Sequence, residues 1–374
     1  MATRDSGPVP GRPGGVARRP RVTALREVAL LRLVAQRVAG PALPSAAETV
    51  RWMTALQGQD YRGALTSVAL RTRGGTTADV EAALTAGEVV RSWPMRGTLH
   101  LVAAEDLSWL LDLTAALQVS AAGRRRGQLG IDEAAVERAR EVARGVLAGG
   151  RAVRRDDLMA AWAAQGVATE GQRGYHLLWH LAQSGTVCLG PVRDGEQLVV
   201  LLDEWVPAPR RPTREEALGE LATRYFRSHG PATAKDLARW TGLPAADVKV
   251  ALAVARAALD RLEVDGVEHL LDPRTPDLLA ACRRQALGVF LLPGFDELLL
   301  GYGDRSAVLP PEFADRIVPG GNGMFRPTVV NGGQVVGTWR TVGRGAQRRV
   351  EATPFTTFAP RVAAAVPRRH AALP

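Results

Sequence analysis

The chain has 374 residues, 46% hydrophobic and 23% charged, which is enough to bury a core over two or three domains and too apolar for a disordered chain. No run approaches the ~18 apolar residues of a membrane span, and the opening MATRDSGPVPGRPGG lacks the apolar segment of a signal peptide; no membrane partner and a cytoplasmic location are expected. The net charge of +10 favours a polyanionic partner, but residues 1–21 supply +4 of it and residues 361–374 supply +3, so the body is nearly balanced.

Taken in chain order, residues 1–21 read as a disordered basic tail. Leu30, Leu33, Val34 and Val38 lie at helical spacing, and Gly40-Pro41 ends that helix. Ser45 with Glu48 forms a capping box for a helix through Met53 to Leu56. Residues 136–205 read as a helix ending near Gly149-Gly150, helices at Asp156–Gln165 and Gln172–Ser184, and strands Val187–Leu189 and Gln197–Leu202 around Asp194-Gly195. The plan recurs at 215–270: an amphipathic helix Glu216–His229, a second helix capped by Thr233 and Asp236, a turn at Gly242-Leu243-Pro244, and a third helix with Val248, Leu252, Ala255 and Leu259 on one face. Leu262–Val264 and Val267–Leu270 then flank Asp265-Gly266. Three helices and a hairpin make a winged helix, a variant of the helix-turn-helix. A third, less regular copy fits residues 23–104.

After Arg284 the pattern turns to strands, at Val289–Leu292, Thr328–Val330 and Gln334–Trp339, with Asn331-Gly332 as a hairpin turn, which reads as a small sheet or barrel packed on the helical units. The expected architecture is α+β and mostly helical. Its divisions are a tail at 1–21, winged-helix units at 22–135, 136–212 and 213–284, a β-rich element at 285–360, and a tail at 361–374.

Winged helices most often hold nucleic acid, though some serve as protein scaffolds. The third helix of the 215–270 unit exposes few base-reading side chains (Asp247, Lys249, Arg256), so backbone contact fits better than operator reading. Gln57-Gly58-Gln59-Asp60-Tyr61-Arg62 packs amides, a carboxylate, an aromatic ring and an arginine around a glycine; by itself such a segment is also an ordinary solvated helix end. Trp93-Pro94-Met95-Arg96-Gly97-Thr98-Leu99-His100 reads either as a strand with Trp93 and Leu99 in the core, or as a site with Arg96 on a phosphate and His100 near a reacting centre. His176 and His180 are four apart on a helix, without a third metal ligand. Cys188 and Cys282 have no metal-type spacing and are expected to be buried. There is no Walker loop, no Gly-x-Ser-x-Gly elbow and no dinucleotide fingerprint.

Four stretches in order, LQGQDYRGAL at 56–65, WPMRGTLHLV at 93–102, LLPGFDELLLGYGDR at 291–305 and GNGMFRPTVVNGGQVVGTW at 321–339, resemble the AlkZ-like family of winged-helix DNA glycosylases, known for resistance to azinomycin-type crosslinking antibiotics. The resemblance runs from about residue 23 to 360. It implies three tandem winged helices with a β-barrel-like element, closed in a C around duplex DNA. It also implies a monofunctional enzyme that hydrolyses the N-glycosidic bond of N7-alkylated purines, including crosslinked ones. The family's catalytic Gln-x-Gln maps to Gln57 and Gln59, with Gly58 in place of the usual larger apolar residue; a sister branch carries Asp at the second position.

An N7-alkylated purine is already cationic and leaves without a strong acid, so preorganised amide oxygens suffice to steady the sugar and a water. Gln59 is assigned to water and sugar, Gln57 to water or the flanking phosphate, and Asp60 is an alternative general base. Tyr61, Arg62, Arg96, Thr98 and His100 are expected to touch DNA, as is a hairpin near Asn322–Arg326 with Phe325 or Arg326 at its tip. A tethered base cannot swing out fully, so no deep aromatic base pocket is expected. The implied partner is double-stranded DNA bearing alkylated purines, met by a monomer without cofactor or metal. A non-catalytic winged-helix DNA binder or transcription regulator is the alternative.

Overall fold

In the computed structural model, residues 21–22, 24–343 and 345–374 are described; the expected N-terminal tail lies outside them except for Arg21. Ser45 accepts the Glu48 N–H and starts a helix at Ala46–Met53. That helix stops short of the expected Leu56: Thr54 takes φ 68°, an uncommon conformation for a β-branched residue, and Ala55–Gln57 leave as a strand. Helices Tyr61–Ala69 and Thr77–Thr85 and a hairpin of Val89–Met95 with Thr98–Ala103 complete this unit. Arg96 and Gly97, at φ 52° and 68°, form the left-handed turn that suits a two-residue hairpin.

The second unit has helices Glu133–Leu147, Arg155–Ala164 and Arg173–Gln183, then strands Val187–Arg193 and Glu196–Leu201. The third has helices Arg214–His229, Ala234–Thr241 and Ala245–Ala255, then strands Asp260–Val264 and Val267–Leu271. Both Asp-Gly turns, 194–195 and 265–266, take the positive φ that this dipeptide tolerates, and Thr233 with Asp236 makes a reciprocal capping box.

The chain is a mixed α/β protein with mainly antiparallel sheets. Ala55–Gln57, Thr98–Ala103, Val89–Met95, Val187–Arg193 and Glu196–Leu201 lie side by side in one five-stranded sheet, joined across the first two units by the Arg91–Leu189 pair. The expected barrel-like element is instead an open four-stranded sheet, ordered Arg349–Pro354, Gln334–Val342, Thr328–Asn331, Val289–Leu292. Its two outer strands do not pair with each other. Asn331 pairs with Gln334, so Gly332-Gly333 is the turn rather than Asn331-Gly332.

Packing crosses the expected boundaries. Helix Leu25–Ala35, read as the start of the first unit, buries Val28, Leu30 and Leu33 in a core with Leu262, Leu271, Leu279 and Leu298. The expected C-terminal tail is the helix Pro360–Ala371, which buries Val362 and Val366 against Val289, Leu291 and Val329. Alanines and two well-spaced valines are enough to seat it on the sheet. Cys188 is buried and burial raises its thiol pKa, whereas Cys282 is only half-buried, with its thiol donating to the Leu278 carbonyl.

Candidate active site

Gln57 ends its strand opposite His100, which in turn pairs with Ser92, so these three side chains share one face of the sheet. Gly58 continues the ladder, its N–H donating to the Leu99 carbonyl at 2.7 Å. The Gln57 N–H donates to a carboxylate oxygen of Glu297 at 3.0 Å, from a residue 240 positions away. Gln57 is 9% exposed, and its side-chain oxygen is buried without a hydrogen-bond partner. Gln59 is exposed, and its side-chain oxygen lies 3.5 Å from the Leu99 N–H. The segment therefore offers one enclosed amide and one facing solvent.

Asp60 is the N-cap of the helix Tyr61–Ala69: its carboxylate accepts the Gly63 N–H at 3.1 Å. Tyr61 donates to Glu81 at 3.3 Å, and burial with the Glu81 charge raises the phenol pKa. Arg62 is exposed on the first turn. Arg91, which the sequence reading passed over, donates through Nε to the Gly58 carbonyl and through Nη1 to Gln197, both at 2.9 Å. It thus clamps the Gln-Gly-Gln peptide to the second unit's hairpin, and burial lowers its pKa to about 10.

Arg96, expected on a phosphate, turns inward. Its guanidinium donates to the Trp240 carbonyl, with Nη2 3.3 Å from Nε2 of His100. His100 is fully buried and donates from Nδ1 to the Thr98 carbonyl at 2.8 Å, which leaves Nε2 unprotonated as the acceptor for Arg96. Burial, reinforced by the Arg96 charge, lowers its pKa to about 3, so the ring is neutral at working pH. Thr98 is half-buried, and its hydroxyl is 3.5 Å from the Met95 carbonyl.

Glu297 was also not legible as a site residue. It is 1% exposed inside an apolar run. One oxygen accepts from Gln57; the other accepts the Trp240 indole N–H at 3.0 Å and lies 3.4 Å from His229 Nε2. Burial alone would raise its pKa, but His229 and the Arg96 charge outweigh that and hold it at about 2. Its neighbour Asp296 makes a two-pronged pair with the buried Arg71, both contacts at 2.9 Å.

The Asn322–Arg326 segment is an irregular loop rather than a hairpin. Asn322 accepts the Met324 N–H at 2.9 Å, and Met324 is its most exposed apolar side chain at 59%. Phe325 is not at a tip: it packs 5.9 Å from Phe295, with Arg305 over its ring. Arg326 is exposed and its N–H donates to Ile317. Cavities of about 750 Å³ beside Arg261 and Arg283 and about 580 Å³ beside Phe325 are lined by neither Gln57 nor Gln59. Among the described residues no His, Cys, Asp and Glu side chains converge in a metal-holding group, and His176 instead packs 5.2 Å from Trp179.

A sheet edge presenting two amides, backed by a buried carboxylate and a neutral histidine, suits a hydrolase that works by polar preorganisation rather than by strong acid. The family model for AlkZ-like DNA glycosylases matches residues 50–373, and the chain belongs to that family; it is a DNA glycosylase. It is 27% identical over 323 residues, covering 83% of this chain and 85% of the relative, to an interstrand DNA cross-link repair glycosylase of Streptomyces sahachiroi. The solved structure of the Streptomyces sahachiroi DNA glycosylase AlkZ superposes with a TM-score of 0.77 at 25% identity, over 93% of this chain and 95% of that one.

Proposed function

We propose that the enzyme releases N7-alkylated purines from duplex DNA, crosslinked ones included, with its three helix-and-hairpin units acting as winged helices that enclose the duplex in a C-shaped cleft. The observation that carries this reading is the buried, unpartnered side-chain oxygen of Gln57. An orphaned buried acceptor costs about 1–3 kcal/mol, a cost that serves function if a ligand completes the site. An oxocarbenium-like sugar or the attacking water supplies the missing partner.

The reaction needs little else. The C1′–N9 bond breaks, its electron pair enters the purine and neutralises the charge that alkylation placed there. Water oxygen bonds to C1′ and its proton leaves to solvent. Gln59, exposed and loosely tethered, orients that water; Gln57, dry and fixed, stabilises the developing cation. A neutral His100 adds no positive charge against it. A crosslinked base stays tethered to the opposite strand, so attack at the sugar in place suits such a lesion better than extrusion. The crosslink activity in the name of the Streptomyces sahachiroi relative supports this extension.

The test is a duplex containing N7-methylguanine, incubated and then treated with alkali to cut abasic sites. Wild type should cut, and Gln59→Ala should be slower by a factor on the order of ten to a thousand. Equal rates in Gln57→Ala, Gln59→Ala and the double variant would remove both glutamines from the mechanism.

A further inference from the structure

Glu297 is buried, yet nothing about burial favours a carboxylate at that position. Replacing a buried ion pair as a whole by apolar residues of similar volume is often neutral or stabilising, so burial by itself does not call for a charged group. What a carboxylate provides is two oxygens, and here each faces a different N–H donor: the Gln57 peptide on one side and the Trp240 indole on the other, both at 3.0 Å. The first donor belongs to the residue whose side-chain oxygen is held without a partner, and the second lies in a helix of the third unit. The carboxylate therefore ties the rotation of the Gln57 peptide to a rigid helix about 180 residues further along the chain. Arg96 closes the same link from its other end by donating to the Trp240 carbonyl.

We propose that Glu297 is a positioning residue for glycosidic cleavage: by accepting the Gln57 N–H it aims the Gln57 side-chain oxygen at the sugar. This rests on the assignment of Gln57 above. Glu297 does not touch substrate; it acts through Gln57 alone. Its removal should therefore slow the chemical step while leaving duplex affinity intact, and should do nothing further once Gln57 has lost its amide.

The geometry also names a rescue. Glutamine has one acceptor oxygen, so Glu297→Gln satisfies either Gln57 or Trp240 and turns an NH2 towards the other donor. Removing the indole N–H with Trp240→Phe ends that conflict and lets the amide oxygen serve Gln57.

Single-turnover release of N7-methylguanine at saturating enzyme, with the duplex Kd measured in parallel, tests this. Glu297→Gln should be at least tenfold slower, with a Kd within twofold of wild type. In a Gln57→Ala background the same substitution should change the rate by less than twofold. Glu297→Gln with Trp240→Phe should recover at least threefold of the lost rate, whereas a purely structural defect would deepen. A wild-type rate in Glu297→Gln, or the same fold loss with and without the Gln57 amide, overturns the proposal. If Glu297→Gln does not fold, Trp240→Phe alone decides: a modest loss that disappears in the Gln57→Ala background supports the link, and an equal loss in both refutes it. A wild-type protein that releases no methylated base refutes the assignment of Gln57 itself.

Discussion

The pair Arg71–Asp296 joins the segment just past the helix Tyr61–Ala69 to the N-cap of the short helix Glu297–Leu300. Its side chains are 0% and 3% exposed, and both guanidinium nitrogens reach the carboxylate at 2.9 Å. Arg71 also donates to the Gln36 carbonyl at 2.8 Å, and Asp296 accepts the Leu298 N–H at 3.0 Å. Asp296→Ala leaves a guanidinium buried without its counter-charge, a defect that costs about 3–5 kcal/mol. Replacing both partners, as in Arg71→Met with Asp296→Leu, removes the uncompensated charge, so this double variant should be more stable than Asp296→Ala despite losing more hydrogen bonds. Urea unfolding followed by tryptophan fluorescence measures the difference. Because Asp296 sets the backbone beside Glu297, Asp296→Ala should also slow base release in the molecules that remain folded. If the double variant unfolds at lower urea than Asp296→Ala, the orphaned guanidinium is not the dominant cost and the desolvation reasoning is wrong.

Other outcomes follow from the same contacts. Asp60→Asn keeps an oxygen for the Gly63 N–H and should retain wild-type stability and rate, whereas Asp60→Ala should cost about 1 kcal/mol in urea unfolding; a loss of several orders of magnitude in base release by Asp60→Asn would instead make Asp60 the general base. Arg91→Met removes the charge-assisted bond to the Gly58 carbonyl and should slow single-turnover release about tenfold, the equivalent of ~1.4 kcal/mol; an unchanged rate would show that the clamp is dispensable. His100 sits at about 3 when folded against 6.5 in a free chain. The unfolded chain therefore binds a proton that the folded one refuses, and stability falls as pH drops from about 6.5 towards 3, by up to roughly 1.4 kcal/mol per pH unit. Glu297, at about 2 against 4.5, adds a loss of the same sign below pH 4.5. A urea midpoint that does not move between pH 7 and pH 4 would mean that His100 is not buried as described.

Local chemistry was readable wherever a short segment settles its own structure. The Thr233–Asp236 box, the two Asp-Gly hairpin turns and the three-helix order of the second and third units all rest on neighbours within a few residues. Gln57 and Gln59 became candidates through motif resemblance, not through spacing. What stayed hidden depends on partners far apart in sequence. Arg96 looked like a phosphate ligand because nothing nearby reveals that Trp240 waits for its guanidinium. Glu297 stands in PGFDELLLG, where nothing nearby reveals that the Gln57 N–H and the Trp240 indole meet its carboxylate. The barrel-like form implied by the resemblance failed for a related reason: strand content reads from alternation, but whether a sheet stays open or closes depends on which edges meet, and alternation carries no edge information.

The order of the four motifs has a mechanical explanation in this structure. The last one braces the third: the Trp339 indole donates to the Leu292 carbonyl at 2.9 Å, Phe325 packs on Phe295, and a side chain at Gly294 would stand 2.6 Å from the Phe325 carbonyl. The loop so held presents Asp296 to Arg71 and Glu297 to Gln57. The second motif closes the remaining side, with His100 beside Gln57 in the sheet and Arg96 reaching Trp240. The Gln57 and Gln59 amides thus stand at the end of a contact chain running through segments nearly 300 residues apart. Amides offer only weak, directional dipoles, so their usefulness depends on how rigidly that chain aims them; a carboxylate acid or a metal would tolerate looser support. On the proposed reading the substrate brings its own positive charge, strong catalytic groups are dispensable, and the burden passes to the buried polar residues behind the two amides.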